Sequence, residues 1–234
     1  MPRLFTVTEL IEMGQLNASM ENSDFIEEPE WRNILTTGYA QLYSIVVNSG
    51  LRYFERVDTI SSVADTAEYD LPADFLSSVG VDYKVDTAGR RRALTEIMAQ
   101  ERNMYRGSTG NSEASFYAFI ADKLVLYPTP LASQTYEHVY IPQPKDLRKA
   151  PADEKVDVVT PDGEAFLLWH ATVRARSKEE SDVQIAIVER EQARKRVQEW
   201  AVLRSFNSPR RMVAEEGDEY ADEYGRYDRW GYYR

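Results

Sequence analysis

Two histidines, His138 and His170, and a large excess of carboxylates are the side chains of this sequence that could move protons. A general acid or base needs a neighbour that orients it, and no motif spacing supplies one to either histidine: His138 stands in an expected strand, His170 mid-helix beside Trp169. Both read as packed residues rather than bases. The 39 Asp and Glu could furnish a glycosidase-like pair from distant positions, yet nothing in their spacing selects two of them. Sulfur chemistry is excluded, because the 234 residues include no cysteine; thiolate nucleophiles, disulfides and sulfur-held zinc or iron–sulfur sites go with it.

Phosphate and metal chemistry fare no better. "GRRRAL" and "RGSTGNSEAS" lack the Lys-Ser/Thr of a phosphate loop and the strand-to-helix setting of a dinucleotide fingerprint, and there is no G-x-S-x-G or H-E-x-x-H. The acids of "DEYADEYGRYD" are interrupted by bulky rings, unlike a calcium loop. No catalytic residue, cofactor or metal is therefore expected. Arg90, Arg91 and Arg92 form a basic cluster that could touch a phosphate backbone, but three arginines beside a loop are expected to pair with neighbouring acids or stay solvated.

The totals bound the class. Net charge is −11 with a pI near 4.8, which reverses the phosphate attraction behind general nucleic-acid binding. Hydrophobic residues make up 43% and aromatics 12%, enough for a core, and no 18-residue apolar run suggests a membrane span. The start, "MPRLFTVTELIEMG", has no secretory pattern, so export is not expected.

The last sixteen residues, "EYADEYGRYDRWGYYR", hold five tyrosines and a tryptophan among charges, with glycines at 225 and 231 breaking any long helix. Rings on a stretch that cannot build its own core imply burial against another chain. The expected anchors are Tyr220, Tyr224, Tyr227, Trp230, Tyr232 and Tyr233, with Arg226, Arg229 and Arg234 setting register.

The elements that position these residues follow from periodicity. A short helix is expected over 6–18, and a long amphipathic one over 30–49 carrying Trp31, Ile34, Leu35, Tyr39, Leu42, Tyr43, Val46 and Val47, with Gly50 at its C-terminal cap. From 51 to 140 the runs "RYFERVDTI", "AEYDLP", "SVGVDYKV", "SFYAFI", "KLVLYP" and "TYEHVYI" read as strands, the fourth and fifth as a hairpin across Ala121 and Asp122. "ALTEIMAQERNMYRG" reads as an interrupting helix. Thr160 and Pro161 open a further helix. The last helix runs over 182–204, turns Val183, Ala186, Ile187, Ala193, Val197, Trp200 and Ala201 inward, and starts with a Ser181/Gln184 capping box. Its "EREQARKR" face reads as solvated and self-pairing. The expected fold is mainly α with a β-rich insertion (α+β): a bundle of the early and late long helices over 1–50 and 155–205, a β-rich module over 51–154, and an extended C-terminal docking tail over 206–234.

The phrase "AEYDLPADFLSSVGVDY" resembles the head-to-tail adaptor proteins of tailed bacteriophages, in particular the short-tailed type. Tyr69 and Leu71 lie on one side of a strand, Pro72 ends it, Asp74 follows, and Phe75 turns back into the core. "DKLVLYPTP" and "RVQEWAVLRSF" extend the likeness, which at the level of element order covers about 33–204. The resemblance implies a structural, non-enzymatic virion protein at the head–tail junction, made in the host cytoplasm. It implies a homo-oligomeric, dodecameric ring beneath the portal protein. The C-terminal tail would dock on portal subunits, and the β-rich module would face a tail nozzle or tube protein. DNA would pass the lumen without specific binding, which an acidic wall favours, and no membrane is involved. Two other readings stay open: a tail nozzle or tube component of the same particle, or a virion-associated cell-wall hydrolase using paired carboxylates.

Overall fold

A computed structural model describes residues 3–21, 23, 25–85, 89–105 and 113–206. The first strand, β1 (Leu4–Thr6), runs into α1 (Val7–Ala18), and α2 (Glu28–Asn48) follows. The central region contributes β2 (Arg56–Ser61), β3 (Glu68–Asp70), β4 (Phe75–Lys84), β5 (Arg91–Ala93), β6 (Thr95–Glu96), α3 (Arg102–Tyr105), β7 (Phe116–Ile120), β8 (Lys123–Tyr127) and β9 (Thr135–Pro142). The chain returns through β10 (Lys155–Asp157) to α4 (Pro161–Lys178) and α5 (Gln184–Phe206).

The long helices start and stop where local chemistry directs. Thr6 and Glu9 exchange side-chain and backbone hydrogen bonds in a capping box that opens α1. The Thr160 hydroxyl accepts from the Gly163 N–H at 3.0 Å, with Pro161 in the first turn of α4. Gly50, at φ +75°, takes the left-handed position after α2 that lets its N–H reach the Val47 carbonyl. α5 differs from expectation: Asp182, not Ser181, accepts from the Gln184 N–H (2.9 Å), while Ser181 turns to Glu179. A carboxylate accepts readily from the N–H two residues further on, an alternative to a serine cap.

α1, α2, α4 and α5 pack around one core that includes Trp31, Leu35, Leu42, Phe166, Leu167 and Val197. Two approaches are close enough to demand glycine. A Cβ on Gly38 would lie 2.9 Å from the His170 ring, drawing α2 against α4, and one on Gly163 would lie 2.1 Å from the Val158 carbonyl oxygen. β1 pairs antiparallel with β10, so the start of the chain is laced to the entry of α4.

The β region forms two four-stranded sheets, ordered β2-β9-β4-β5 and β3-β8-β7-β6, antiparallel except where β6 meets β7. In β9 alternate residues Tyr136, His138 and Tyr140 are buried, the period-2 signature of a half-covered strand. Tyr136, Ile60, Val81 and Tyr83 of the first sheet form one core with Tyr117, Leu124 and Leu126 of the second. β8 is buried on both sides: Val125 and Tyr127 join Ile97 and Ala118 in a smaller cluster, with Tyr105 of α3 against it.

This corrects the expectation of a mainly α protein built on a helical bundle. Among the described residues ten strands in three sheets stand beside five helices, one of them only four residues long, so the fold is α+β with strong β content. The strands bury cores of their own instead of leaning on the helices, and one sheet lies within the helical half. The α+β element of the expectation fits.

The helix expected in "ALTEIMAQERNMYRG" is also corrected. Leu94 donates to the Val81 carbonyl, Thr95 to Ser115 and Ile97 to Tyr117, so the segment crosses from one sheet to the other, and among its described residues only Arg102–Tyr105 is helical. Long-range ladder bonds override its helical spacing. "RYFERVDTI" is strand only from Arg56 onward.

Candidate functional site

Both histidines are packed inside. His170 is 1% exposed on α4, its Nε2 3.3 Å from the Thr37 hydroxyl and its Nδ1 without a hydrogen-bond partner. Burial, then the charges of Arg174 and Arg190, push it down to about 4. His138 is fully buried among Phe75, Phe119 and Tyr140, 3.1 Å from the Ser78 hydroxyl; burial lowers its proton affinity against an opposing pull from Asp58. A base closed off from solvent by rings cannot reach a substrate. Among the described residues no group of three or more His, Asp or Glu is placed to hold a metal.

Arg91 and Arg92 of the arginine cluster each meet a carboxylate. Arg91 meets Glu137 at 2.5 Å, and Arg92 meets Glu113 at 3.1 Å while lying over the Tyr83 ring. These pairs tie β5 to β9 and to Glu113 just ahead of β7.

The motif residues sit at the junction of the two sheets. The Tyr69 hydroxyl donates to the Thr66 carbonyl (2.8 Å) and accepts from the Val63 N–H (3.1 Å), closing the turn before β3. Tyr69 and Leu71 pack half-buried on the core between the sheets. The Phe75 N–H bonds the Pro72 carbonyl at 2.9 Å, which turns the chain into β4. The Asp74 carboxylate accepts from the Tyr140 hydroxyl (2.9 Å) and from Arg56 (2.7 Å). The Phe75 ring meets Phe119, His138 and Tyr140 with centroids 5.7–6.2 Å apart. All five residues thus serve the local fold.

A seam of rings joins the helical half to the β half. Tyr43 donates to the Pro142 carbonyl at the end of β9, and its ring stacks on Phe54 at 4.2 Å. Tyr53 packs edge-on to Phe54 and to Trp200 of α5 and donates to Asp157 at 2.8 Å; burial, then that bond, pushes its phenol up to about 12. Arg204 lies over both Tyr53 (5.5 Å) and Trp200 (5.4 Å), so the last turn of α5 is pinned to the linker after α2. Sequence reading missed this seam; the signal was a ring pair, Tyr53 and Phe54, three residues after a helix-ending glycine.

Beyond that turn the chain leads into the tail. Tyr220, Tyr224, Arg226, Tyr227, Arg229, Trp230, Tyr232, Tyr233 and Arg234 lie outside the described residues. On the body, apolar side chains face outward at Ile185, Val188 and Leu203 of α5 and at Val57, Val63 and Leu76 of the β half. Between α2 and α5 runs an open groove of about 890 Å³ lined by Gln41, Ser44, Asn48, Arg190, Arg194 and Gln198, among others. Arg190 and Arg194 share Glu191, at 3.0 and 3.2 Å, and Arg196 pairs with Asp162 of α4. The self-pairing reading of "EREQARKR" missed that this face forms a groove wall, because the other wall comes from α2.

What these features offer is exposed apolar surface on α5 and the β half and an open groove between α2 and α5. A family model described as SU10 adaptor protein matches residues 6–214, and the chain belongs to that family. Membership agrees with the likeness to bacteriophage head-to-tail adaptors and makes the protein a virion component. No curated protein matches the chain. Among the described residues no helix is long and apolar enough to cross a membrane.

Proposed function

We propose that the protein forms a ring beneath the portal of a phage particle and joins it to the tail, leaving a channel for DNA. The observation that carries this reading is the aromatic run at 219–234, which follows a body that matches an adaptor family. Tyr220, Tyr224, Tyr227, Trp230, Tyr232 and Tyr233 are the anchors laid on portal subunits, and Arg226, Arg229 and Arg234 fix their register. Tyrosine and tryptophan supply large contact area with few rotors to freeze, so a tail that orders on docking keeps more of its binding energy.

In this reading 1–50 and 155–205 are the assembling domain, 51–154 is the module facing a nozzle or tube protein, and 206–234 is the docking tail. A charge of −11 suits a wall past which DNA must slide, since like charge lowers adhesion. Copies of the chain close the ring through their sides.

The test is removal of 208–234. The truncated protein folds, with an unchanged far-UV circular dichroism spectrum in its helical bands, and no longer binds purified portal in a pull-down or in negative-stain images. Binding at unchanged affinity would show that the tail is not the docking element.

A further inference from the structure

We propose that the outer face of α5 on one copy of the chain packs against the outer face of α1 on a second copy, with Ile185 and Val188 on Leu16 and Lys195 beside Glu9 and Glu12. This contact rests on the ring reading above and names the sides through which neighbouring copies meet.

Each of the two helices carries a stripe that its own fold leaves uncovered. On α5, Ile185, Val188, Gln192, Lys195 and Glu199 recur in steps of three and four residues, which puts them on one face. Ile185 is 74% and Val188 54% exposed, and both lie away from the inward Ala186, Ala193 and Val197. This face is also distinct from the groove wall, which Arg190, Arg194 and Gln198 form. On α1, Glu9, Glu12 and Leu16 make a second stripe at the same steps, opposite the buried Val7, Leu10 and Gly14, with Leu16 63% exposed.

Charge selects the partner. α1 contains no basic residue, and its stripe holds two exposed carboxylates; α5 carries Arg194, Lys195 and Arg196 in a row. Arg194 is held by Glu191 and Arg196 by Asp162, whereas exposed Lys195 has no ion pair among the described residues, and neither has exposed Glu12. The spacings agree as well. If the helices run antiparallel with Leu16 on Val188, then Glu9 and Lys195, each seven residues away, stand about 10.5 Å along at 1.5 Å per residue and come level. Glu12 falls within one turn of Lys195 and beside Gln192, Glu189 comes level with Gln15, and Glu199 passes beyond the start of α1. Such complementarity fixes register as much as it adds affinity.

One copy cannot join its own stripes, because α1 and α5 each pack on α2 and α4 rather than on one another. Two unlike patches on separate flanks make a heterologous contact, which passes from copy to copy and closes when the rotation allows.

The absence of cysteine makes the test direct. Full-length protein carrying Leu16→Cys with Val188→Cys is mildly oxidised, alone and with purified portal, and run on a non-reducing gel. A ladder of dimers, trimers and larger species is expected, with neither single variant passing dimer. A double variant that stops at dimer, or a single variant that cross-links as fully as the double, would mean a like-with-like contact and overturn the proposal. Sedimentation supplies the second reading. Lys195→Glu is expected to weaken self-association by roughly five-fold, the upper range for an exposed ion pair, and Glu12→Lys in the same chain to restore it. All of these side chains are exposed, so an unchanged circular dichroism spectrum is expected throughout. A double charge variant no better than Lys195→Glu alone overturns the proposal. Oligomers of wild type without the cross-link would reject this contact and leave the ring standing, whereas wild type that stays monomeric both alone and on portal would reject the ring and the contact together.

Discussion

Gly38 of α2 faces the ring of His170 on α4 so closely that a Cβ at position 38 would lie 2.9 Å from the imidazole Cδ2 and 3.2 Å from Cγ. The ring is buried and cannot swing aside, so α2 and α4 would have to part. Gly38→Ala is therefore expected to destabilise the protein by about 1–3 kcal/mol, the usual cost of overpacking. Gly80→Ala, where a Cβ meets nothing within 4 Å, serves as the control and is expected to be near neutral. Urea melts of the two variants make the comparison, and equal midpoints would show that the helices are not in such close contact.

His170 also makes stability depend on pH. Its folded value, about 4, lies below the ordinary 6.5, so between those limits the unfolded chain binds the extra proton. The stability that neutral His170 contributes is complete above pH 6.5 and declines as pH falls toward 4, by up to about 3 kcal/mol at 1.36 kcal/mol per unit. His138, also lowered, adds a decline of the same sign. Melts of wild type and His170→Asn across pH 4–7 should show a shallower slope in the variant. Parallel slopes would assign the acid sensitivity elsewhere.

The bond from Tyr43 to the Pro142 carbonyl crosses between the helical and β halves inside the protein. Tyr43→Phe keeps the stacked ring and leaves a buried carbonyl without its donor, at an expected cost of about 1–2 kcal/mol. Chemical denaturation measures it, and a loss below the error of the fit would mean that water replaces the hydroxyl.

In the motif, Phe75 and Leu76 are neighbours on opposite faces of β4. Phe75 packs among Phe119, His138 and Tyr140, whereas Leu76 is 48% exposed. Phe75→Ala is expected to cost about 3 kcal/mol, and Leu76→Ala about 0.5 kcal/mol or less. Thermal melts that ranked Leu76 above Phe75 would reverse the assignment of the inward face.

Asp74 completes the same corner by accepting from Tyr140 and Arg56. The carboxylate is 40% exposed, so Asp74→Ala is expected to cost only about 1 kcal/mol, with Asp74→Asn intermediate. The effect of the alanine variant should shrink in 1 M NaCl if the Arg56 pair contributes, since screening weakens a partly exposed ion pair.

Where a structural signal is carried by residues within one or two turns of each other, the amino-acid sequence alone determined it. The cap of α4 at Thr160 and Pro161, the left-handed Gly50 after α2, and the buried positions Ala186, Ala193, Val197 and Ala201 of α5 are of this kind, since local hydrogen bonds and the 3.6-residue period set them. The Tyr69-to-Phe75 phrase likewise carried the family likeness. The tertiary structure decided what depends on distant partners. Residues 93–97 are extended because Val81, Ser115 and Tyr117 offer them ladder bonds, although their own spacing favours a helix. The weight of the β half depends on two sheets closing over Ile60, Tyr117, Leu126 and Tyr136, residues spread over more than seventy positions. The groove exists only because α2 meets a face of α5 whose charges, taken alone, look merely solvated. Local chemistry acts over a few residues, and burial is settled between segments whose meeting no single window of sequence contains.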